Sequence, residues 1–410
     1  MSSLRAYIYK VWEIVPWREV FAWLPVAGML MLISSLPFGW TVYQKVSIFV
    51  LGISTGFYYI SNEQWKRLSW DKSKWVFISM LLLYALIPIR QMFDPTPMTD
   101  YAWRQLHLSE WWLYVGLAGL VGFTPQLKLR YVAYVMLVTG VLLFLMRHEK
   151  VHSHMVLNLY VNVGLVFGFL ALQEENELWK RIALIAGMVL NWLVVITSLG
   201  RVGMITSLIV LSVGILSSLK KNHRYIALIA GTLVVAGGIW SVMHNSRFSR
   251  EAFHFEPRVA IWDYSWRLIK EKPIVGYGIS SLEEEFIEGM YQDEGTVSYF
   301  IPVIYNDPKF EQQGKTMLTH HPHNAFLMHW LCFGIAGVAA LVLFFVVAAY
   351  MPVGRNRIYL CLVLMAILLQ AMTEPVGDHL RPQFIAFMLW IIQLTLCSLP
   401  QSERSAVQPL

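Results

Sequence analysis

The sequence predicts an all-α polytopic membrane protein of about twelve transmembrane helices, interrupted once, between the ninth and tenth, by a large outer loop containing short helices. Three observations lead there. Hydrophobic residues fill 57% of the 410 positions and charged residues only 14%, whereas a soluble domain of this size would carry about a quarter charged. Apolar segments of roughly 17 to 25 residues, enough to cross ~30 Å of hydrocarbon as helices, recur along the chain. The exception is the hydrophilic interval 243–323, which closes on His320-His321-Pro322-His323-Asn324 directly ahead of another apolar span.

The chain opens with Arg5, Lys10, Arg18 and two glutamates, and has no apolar core or small-residue cleavage site of a signal peptide. It reads as a cytoplasmic arm with interfacial Trp12 and Trp17. Spans follow near residues 19–37, 41–60, 74–92, 109–124, 130–147, 155–173, 181–198, 202–219, 224–242, 324–350, 356–373 and 380–398. Only Leu199, Gly200 and Arg201 separate the seventh from the eighth, so these two form either a tight re-entrant pair or one long broken helix. The polar segment Ser398 to Leu410 reads as a short disordered tail.

Counting Lys and Arg on alternate sides, with the long interval omitted, gives 17 inside and 7 outside when the N-terminus is cytoplasmic. Both termini are therefore expected inside and the long interval outside. The net charge of +6 follows from that topology and calls for no nucleic-acid partner. Cys332, Cys361 and Cys397 all fall within spans, which argues against a disulfide framework. The organisation expected is one membrane domain over 1–410, with 243–323 as a loop element within it.

Inside that element, Arg258, Trp262, Trp266 and Ile269 have helical spacing and share one face. Two readings stand: a helix at the lipid headgroups that holds Arg258 near phosphates, or an amphipathic helix packed on the bundle. Lys272-Pro273-Ile274-Val275-Gly276-Tyr277-Gly278 is a turn, after which Ser281 and Glu284 have capping-box spacing for a second short helix. The acidic run Glu283 to Glu285 with Glu288, Asp293 and Glu294 lacks calcium-loop or His/carboxylate ligand spacing and reads as a solvated face.

Arg201 stands at the outer end of two apolar spans, where a charge needs a partner. That partner is either an interfacial carboxylate or headgroup, or an anionic ligand held by the guanidinium fork. Clustered imidazoles at an outer boundary suit acid/base chemistry. His321-Pro322-His323 lacks the spaced histidine pair and glutamate of zinc peptidases, so no metal site is assigned. His148, His152 and His154 read as a solvated loop. Arg90 and the group Glu374, Asp378, His379 and Arg381 either pair locally or line a cleft at the outer face.

His323-Asn324, nine residues, then Gly334-Ile335-Ala336-Gly337 resembles the motif of bacterial O-antigen ligases, within the O-antigen ligase and polymerase superfamily. The run Arg258, Trp262, Pro273, Gly276, Gly278 and the placement of Arg201 are similar to that family as well, over roughly residues 180 to 400. The resemblance implies a membrane glycosyltransferase of GT-C-like architecture in the bacterial inner membrane, without a cofactor and metal-independent. Its donor would be an undecaprenyl-diphosphate-linked glycan and its acceptor a sugar hydroxyl of lipid A–core at the periplasmic face. It implies His323 as general base and Arg201 and Arg258 on the diphosphate, with Asn324, His321 and Trp262 in support; direct displacement would invert the anomeric centre. Gly334 and Gly337 are expected to let helices pack closely. The rivals are an O-antigen polymerase, whose acceptor is a second lipid-linked glycan, and, from another class, a transporter of lipid-linked sugars, which would carry discontinuous helices near the midplane.

Overall fold

A computed structural model describes residues 17–35, 46–47, 49–50, 53–54, 73–93, 129–145, 154–198, 200–218, 257–292, 322–350 and 357–372. Every element among the described residues is a helix: α1 (Trp17–Ser35), α2 (Ser73–Met92), α3 (Leu129–Leu145), α4 (His154–Glu174), α5 (Leu178–Thr197), α6 (Arg201–Ser218), α7 (Pro257–Glu271), α8 (Ile279–Gln292), α9 (Ala325–Tyr350) and α10 (Arg357–Ala371). Four of these, α4, α5, α6 and α9, are long and apolar enough to cross a membrane; apolar stretches of α1, α3 and α10 are shorter. The spans expected near 109–124, 224–242 and 380–398, and most of 41–60, lie outside the described residues, as do His148, His152, His321, Asp378, His379 and Arg381.

The centre of the bundle is α4. Every residue from Leu157 to Ala171 is buried, because α3, α5, α6 and α10 all pack around it. A helix apolar on every side is stable only with such an all-round partner set. Small residues set the closeness of the seams. A Cβ at Gly164 would touch Met136 of α3 at 3.4 Å, and one at Gly168 would press Met188 of α5 at 2.8 Å. Asn191 of α5 donates through Nδ2 to the Leu137 carbonyl of α3 at 2.9 Å, a buried polar link between neighbouring helices.

Two polar layers fix the ends of this bundle. At one end, Gln173 of α4 donates to the Tyr359 hydroxyl of α10 at 2.5 Å, and Ser217 of α6 lies 2.9 Å from the same oxygen. There also the Glu175 carboxylate accepts the Tyr134 hydroxyl at 3.0 Å and the backbone N–H groups of Asn176 and Glu177, which closes the α4–α5 turn. At the other end, Ser198 donates to Asn158 Oδ1 at 2.5 Å and Asn162 donates to the Gly203 carbonyl at 3.0 Å, seating the start of α6 on α4.

The seventh and eighth spans are therefore two helices, α5 ending at Thr197 and α6 starting at Arg201. The loop helix α7 is of the packed kind: Ile261, Tyr264, Ser265, Leu268 and Ile269 are buried, and it lies against α9. Trp262, Trp266 and Ile269 do not form one exposed surface, since Trp266 is exposed and Ile269 is covered. The second loop helix starts at Ile279, two residues before the capping pair expected from Ser281 and Glu284. Gly278, at φ +86°, turns the chain directly into it, which places Ser281 within the first helical turn.

Burial pushes the Glu175 carboxyl up, but the Glu177 N–H, the Tyr134 hydroxyl, Lys180 and the Asn176 N–H together outweigh it and hold the group below the usual range. A carboxylate depressed in this way adds stability that is present above its unfolded pKa and is lost as pH falls through the folded value. On acidification below about pH 4.3, the thermal midpoint of the wild type should drop more than that of Glu175→Gln. Equal drops would remove Glu175 as a contributor.

Candidate functional site

The site is built on a helix that does not run straight. α9 is broken at Gly334, which adopts φ +62° and ψ −154°. In an unbroken helix the Leu331 carbonyl would accept from the Ile335 N–H and the Cys332 carbonyl from that of Ala336. Here Leu331 O accepts the Tyr277 N–H at 2.6 Å, Cys332 O accepts the Gly278 N–H at 3.0 Å, and the Ile335 N–H donates to Pro273 O at 3.1 Å. The Trp330 indole donates to that same Pro273 carbonyl at 2.9 Å. The turn between α7 and α8 thus replaces the missing rungs with its own backbone.

Such close backbone approach leaves no room for side chains. A Cβ at Gly276, itself at φ +69°, would lie 2.6 Å from the Gly334 nitrogen and 2.6 Å from the Leu331 oxygen; one at Gly334 would collide with the Ile274 carbonyl. The packing role expected for Gly334 gives way to this one. Its absent side chain admits a loop, while a Cβ at Gly337 would run into the His329 carbonyl above it. The loop is held from its other side by Arg90, whose Nη2 donates to Gly276 O at 3.3 Å, and by Gln91, which donates to Ser280 at 3.3 Å.

The half-helix Ala325–Phe333 carries the histidine motif at its start. Asn324 caps it: Oδ1 accepts the N–H groups of Phe326 and Leu327 at 2.9 and 3.1 Å, while Nδ2 reaches across to the Met372 carbonyl at the end of α10 at 2.9 Å. A cap satisfies helix-end donors that would otherwise be orphaned. His323 is half-buried and sits at φ +49°, the left-handed region that side chains rarely adopt. The carbonyl just before it, on Pro322, accepts the Trp262 indole N–H at 2.8 Å. Strain of this kind persists where its surroundings over-determine it, commonly at functional sites.

Trp262 belongs to α7, so this bond brings the arginine helix to the histidine. Arg258, half-buried, lies one turn before Trp262 on the same side of α7, about 6 Å along the axis. A second contact runs parallel to the first, with the Trp266 and Trp330 rings packed edge to face at 5.5 Å. Arg201 opens α6 and is half-buried. Since the far ends of α6 and α10 meet at Ser217 and Tyr359, and the near end of α10 meets Asn324, Arg201 stands at the same end of the bundle as His323. Arg201, Arg258, Trp262, His323 and Asn324 therefore lie towards the same end of the bundle.

Sequence reasoning missed Asn158 and Asn162, which lie in an apolar run yet hold the start of α6, with the Asn158 side chain filling the notch left by Gly200 and Gly203. It also missed His329, buried beside Phe333 in the half-helix that bears the motif. An amide pair four residues apart and an imidazole inside a membrane-length segment were the available signals. Among the described residues no group of His, Cys, Asp and Glu is arranged to hold a metal ion. Tyr277 donates to Glu271 at 2.8 Å, and burial together with that carboxylate pushes its hydroxyl pKa well up.

Residues 186–342, from within α5 into α9, match the family model described as O-antigen ligase. Over that segment the chain carries an O-antigen ligase-family domain. No curated protein matches it. A match to that family implies a membrane glycosyltransferase-like enzyme. The matched segment contains Arg201, Arg258, Trp262, the inserted turn, His323, Asn324 and Gly334.

In an ordinary helix interior, replacing Gly by Ala stabilises by about 1 kcal/mol. At Gly334 and Gly276 the sign should reverse: Gly334→Ala and Gly276→Ala should each lower the thermal midpoint, at a cost on the order of 1–3 kcal/mol. A rise in midpoint for either variant would mean that the turn does not occupy the break.

Proposed function

We propose that this protein is an O-antigen ligase, transferring a glycan from undecaprenyl diphosphate to a sugar hydroxyl of lipid A–core at the periplasmic face of the bacterial inner membrane. The observation that carries the reading is the Trp262–Pro322 hydrogen bond of 2.8 Å, which ties the arginine helix to a histidine in a left-handed conformation. A group that removes a proton during reaction must be held within hydrogen-bond reach of it, and rigid attachment to the phosphate-binding element supplies that placement.

In this mechanism the acceptor hydroxyl oxygen attacks the anomeric carbon while His323 takes its proton. The bond from that carbon to the diphosphate oxygen breaks, and the electron pair leaves on undecaprenyl diphosphate. Arg201 and Arg258 stabilise the charge that develops there, an effect larger in a partly dehydrated cleft than in water. Bond making and breaking on opposite sides inverts the anomeric centre. Arg90, Asp378, His379 and Arg381 are proposed to line the acceptor cleft, and His321 to support His323.

Transport of lipid-linked sugars calls for a discontinuous helix, and α9 is discontinuous. In transporters, however, the unwound carbonyls face substrate or ion. The Leu331 and Cys332 carbonyls are instead engaged by the Tyr277 and Gly278 N–H groups, which favours enzyme over transporter.

The test is transfer by purified protein from an undecaprenyl-diphosphate-linked glycan, with lipid A–core and a second lipid-linked glycan offered separately. Product on lipid A–core is expected; elongated lipid-linked glycan would make the protein a polymerase. His323→Ala should lose transfer while folding and binding donor, and normal turnover would remove it as the base. Arg201→Lys and Arg258→Lys should fall by about tenfold or more, since lysine keeps charge but not the planar fork. Chelation should leave the rate unchanged, and a loss restored by added metal would overturn the metal-free mechanism.

A further inference from the structure

The turn between α7 and α8 presents its tip outward. Ile274 is 72% exposed and Val275 58%, with Trp266 at 43% and Ile335 at 50% beside them. A bulky apolar tip of this kind in water would be unfavourable, at roughly 25 cal/mol for each Å² left wet. Its depth explains it. The tip is fastened at Gly334, and the segment of α9 from Gly334 to Tyr350 rises only about 24 Å, less than the ~30 Å hydrocarbon core. Tyr350 is highly exposed, as an aromatic at a membrane boundary would be. With Tyr350 at one boundary, Gly334 and the Ile274 carbonyl packed on it lie inside the opposite one.

We infer that Ile274 and Val275 form a membrane wedge, inserted among the acyl chains of the leaflet at the His323 end, with Lys270 and Lys272 at the level of the lipid phosphates. Much of the turn's backbone is hydrogen-bonded by protein, as irregular chain at this depth needs: Pro273 has no N–H, its carbonyl accepts from Ile335 and Trp330, and the N–H groups of Gly276, Tyr277 and Gly278 are all bonded. The nearby charges are arranged to suit. Arg267 pairs with Asp263 at 3.4 Å, and Glu271 accepts from the Tyr277 hydroxyl. Lys270 and Lys272 are both exposed at the base of the tip, and the Lys272 ammonium rests over the Tyr277 ring, 4.0 Å from its centroid. The occupant is therefore a bilayer surface bearing anionic lipid. The inference needs only that α9 spans the membrane, and stands apart from the transfer reaction.

The test places a nitroxide at Ile274→Cys, and separately at Val275→Cys, in a background with Cys332→Ala, Cys361→Ala and Cys397→Ala. The protein is reconstituted into phosphatidylcholine vesicles containing phosphatidylglycerol. Collision with lipid-soluble oxygen and with a water-soluble nickel chelate is measured, with Asp263→Cys on the exposed side of α7 as the aqueous reference. Oxygen should exceed nickel severalfold at 274 and 275, with the order reversed at 263. Nickel access at 274 and 275 equal to that at 263 would mean a tip in water. Exclusion of both reagents would mean that protein, a second copy or another chain, covers it. Either result overturns the wedge. Either Cys variant alone suffices if the other fails to fold.

Discussion

The broken rung in α9 is the constraint on which the site depends. A transmembrane helix cannot leave carbonyls bare in hydrocarbon, where each unsatisfied group costs several kcal/mol. Once Gly334 departs from helical geometry, the Leu331 and Cys332 carbonyls and the Ile335 N–H must find partners, and the α7–α8 turn supplies all three. That need fixes the position of a loop remote in sequence. Because the loop continues from α7, it also fixes where Arg258 and Trp262 stand relative to the half-helix that starts after His323.

The result is a stiff assembly of short pieces. The half-helix Ala325–Phe333 is fastened at its top by Trp262 to Pro322, along its side by Trp266 to Trp330, and at its base by the inserted turn. Asn324 then links it to the end of α10, and α10 is tied at its far end to α4 and α6 through Tyr359. Arg201, on α6, is seated from below by Asn158 and Asn162 of the buried pillar α4. The half-helix and the pillar thus come from different parts of the chain and are linked through α10. Donors fixed in this way before charge develops would suit the proposed transfer.

Much of this was legible in the sequence. Apolar length gave the helices α4, α5, α6, α9 and α10, since nothing but burial or lipid accommodates such segments. The interruption of the apolar run at Leu199-Gly200-Arg201 marked the α5–α6 junction without deciding between two helices and one broken helix, and the Pro/Gly run at 272–278 marked a turn. The histidine motif with its downstream glycines carried the family, which the match over residues 186–342 bears out. The break at Gly334 was not legible, because a glycine within a transmembrane segment serves equally for close packing, and only the partner loop distinguishes the two roles. For the same reason Trp262 showed its periodicity but not its bond to Pro322. Asn158 and Asn162 were hidden by the hydrophobicity around them, although amides within a span always require partners.

The most direct measurement is the steady-state kinetics of Trp262→Phe, which keeps an aromatic side chain with some loss of ring volume and removes the N–H that holds the Pro322 carbonyl. If that bond places the His323 imidazole for proton removal, kcat should fall on the order of 10- to 100-fold, with donor binding and thermal midpoint near those of the wild type. An unchanged kcat would contradict the account, because His323 would then be positioned without the arginine helix.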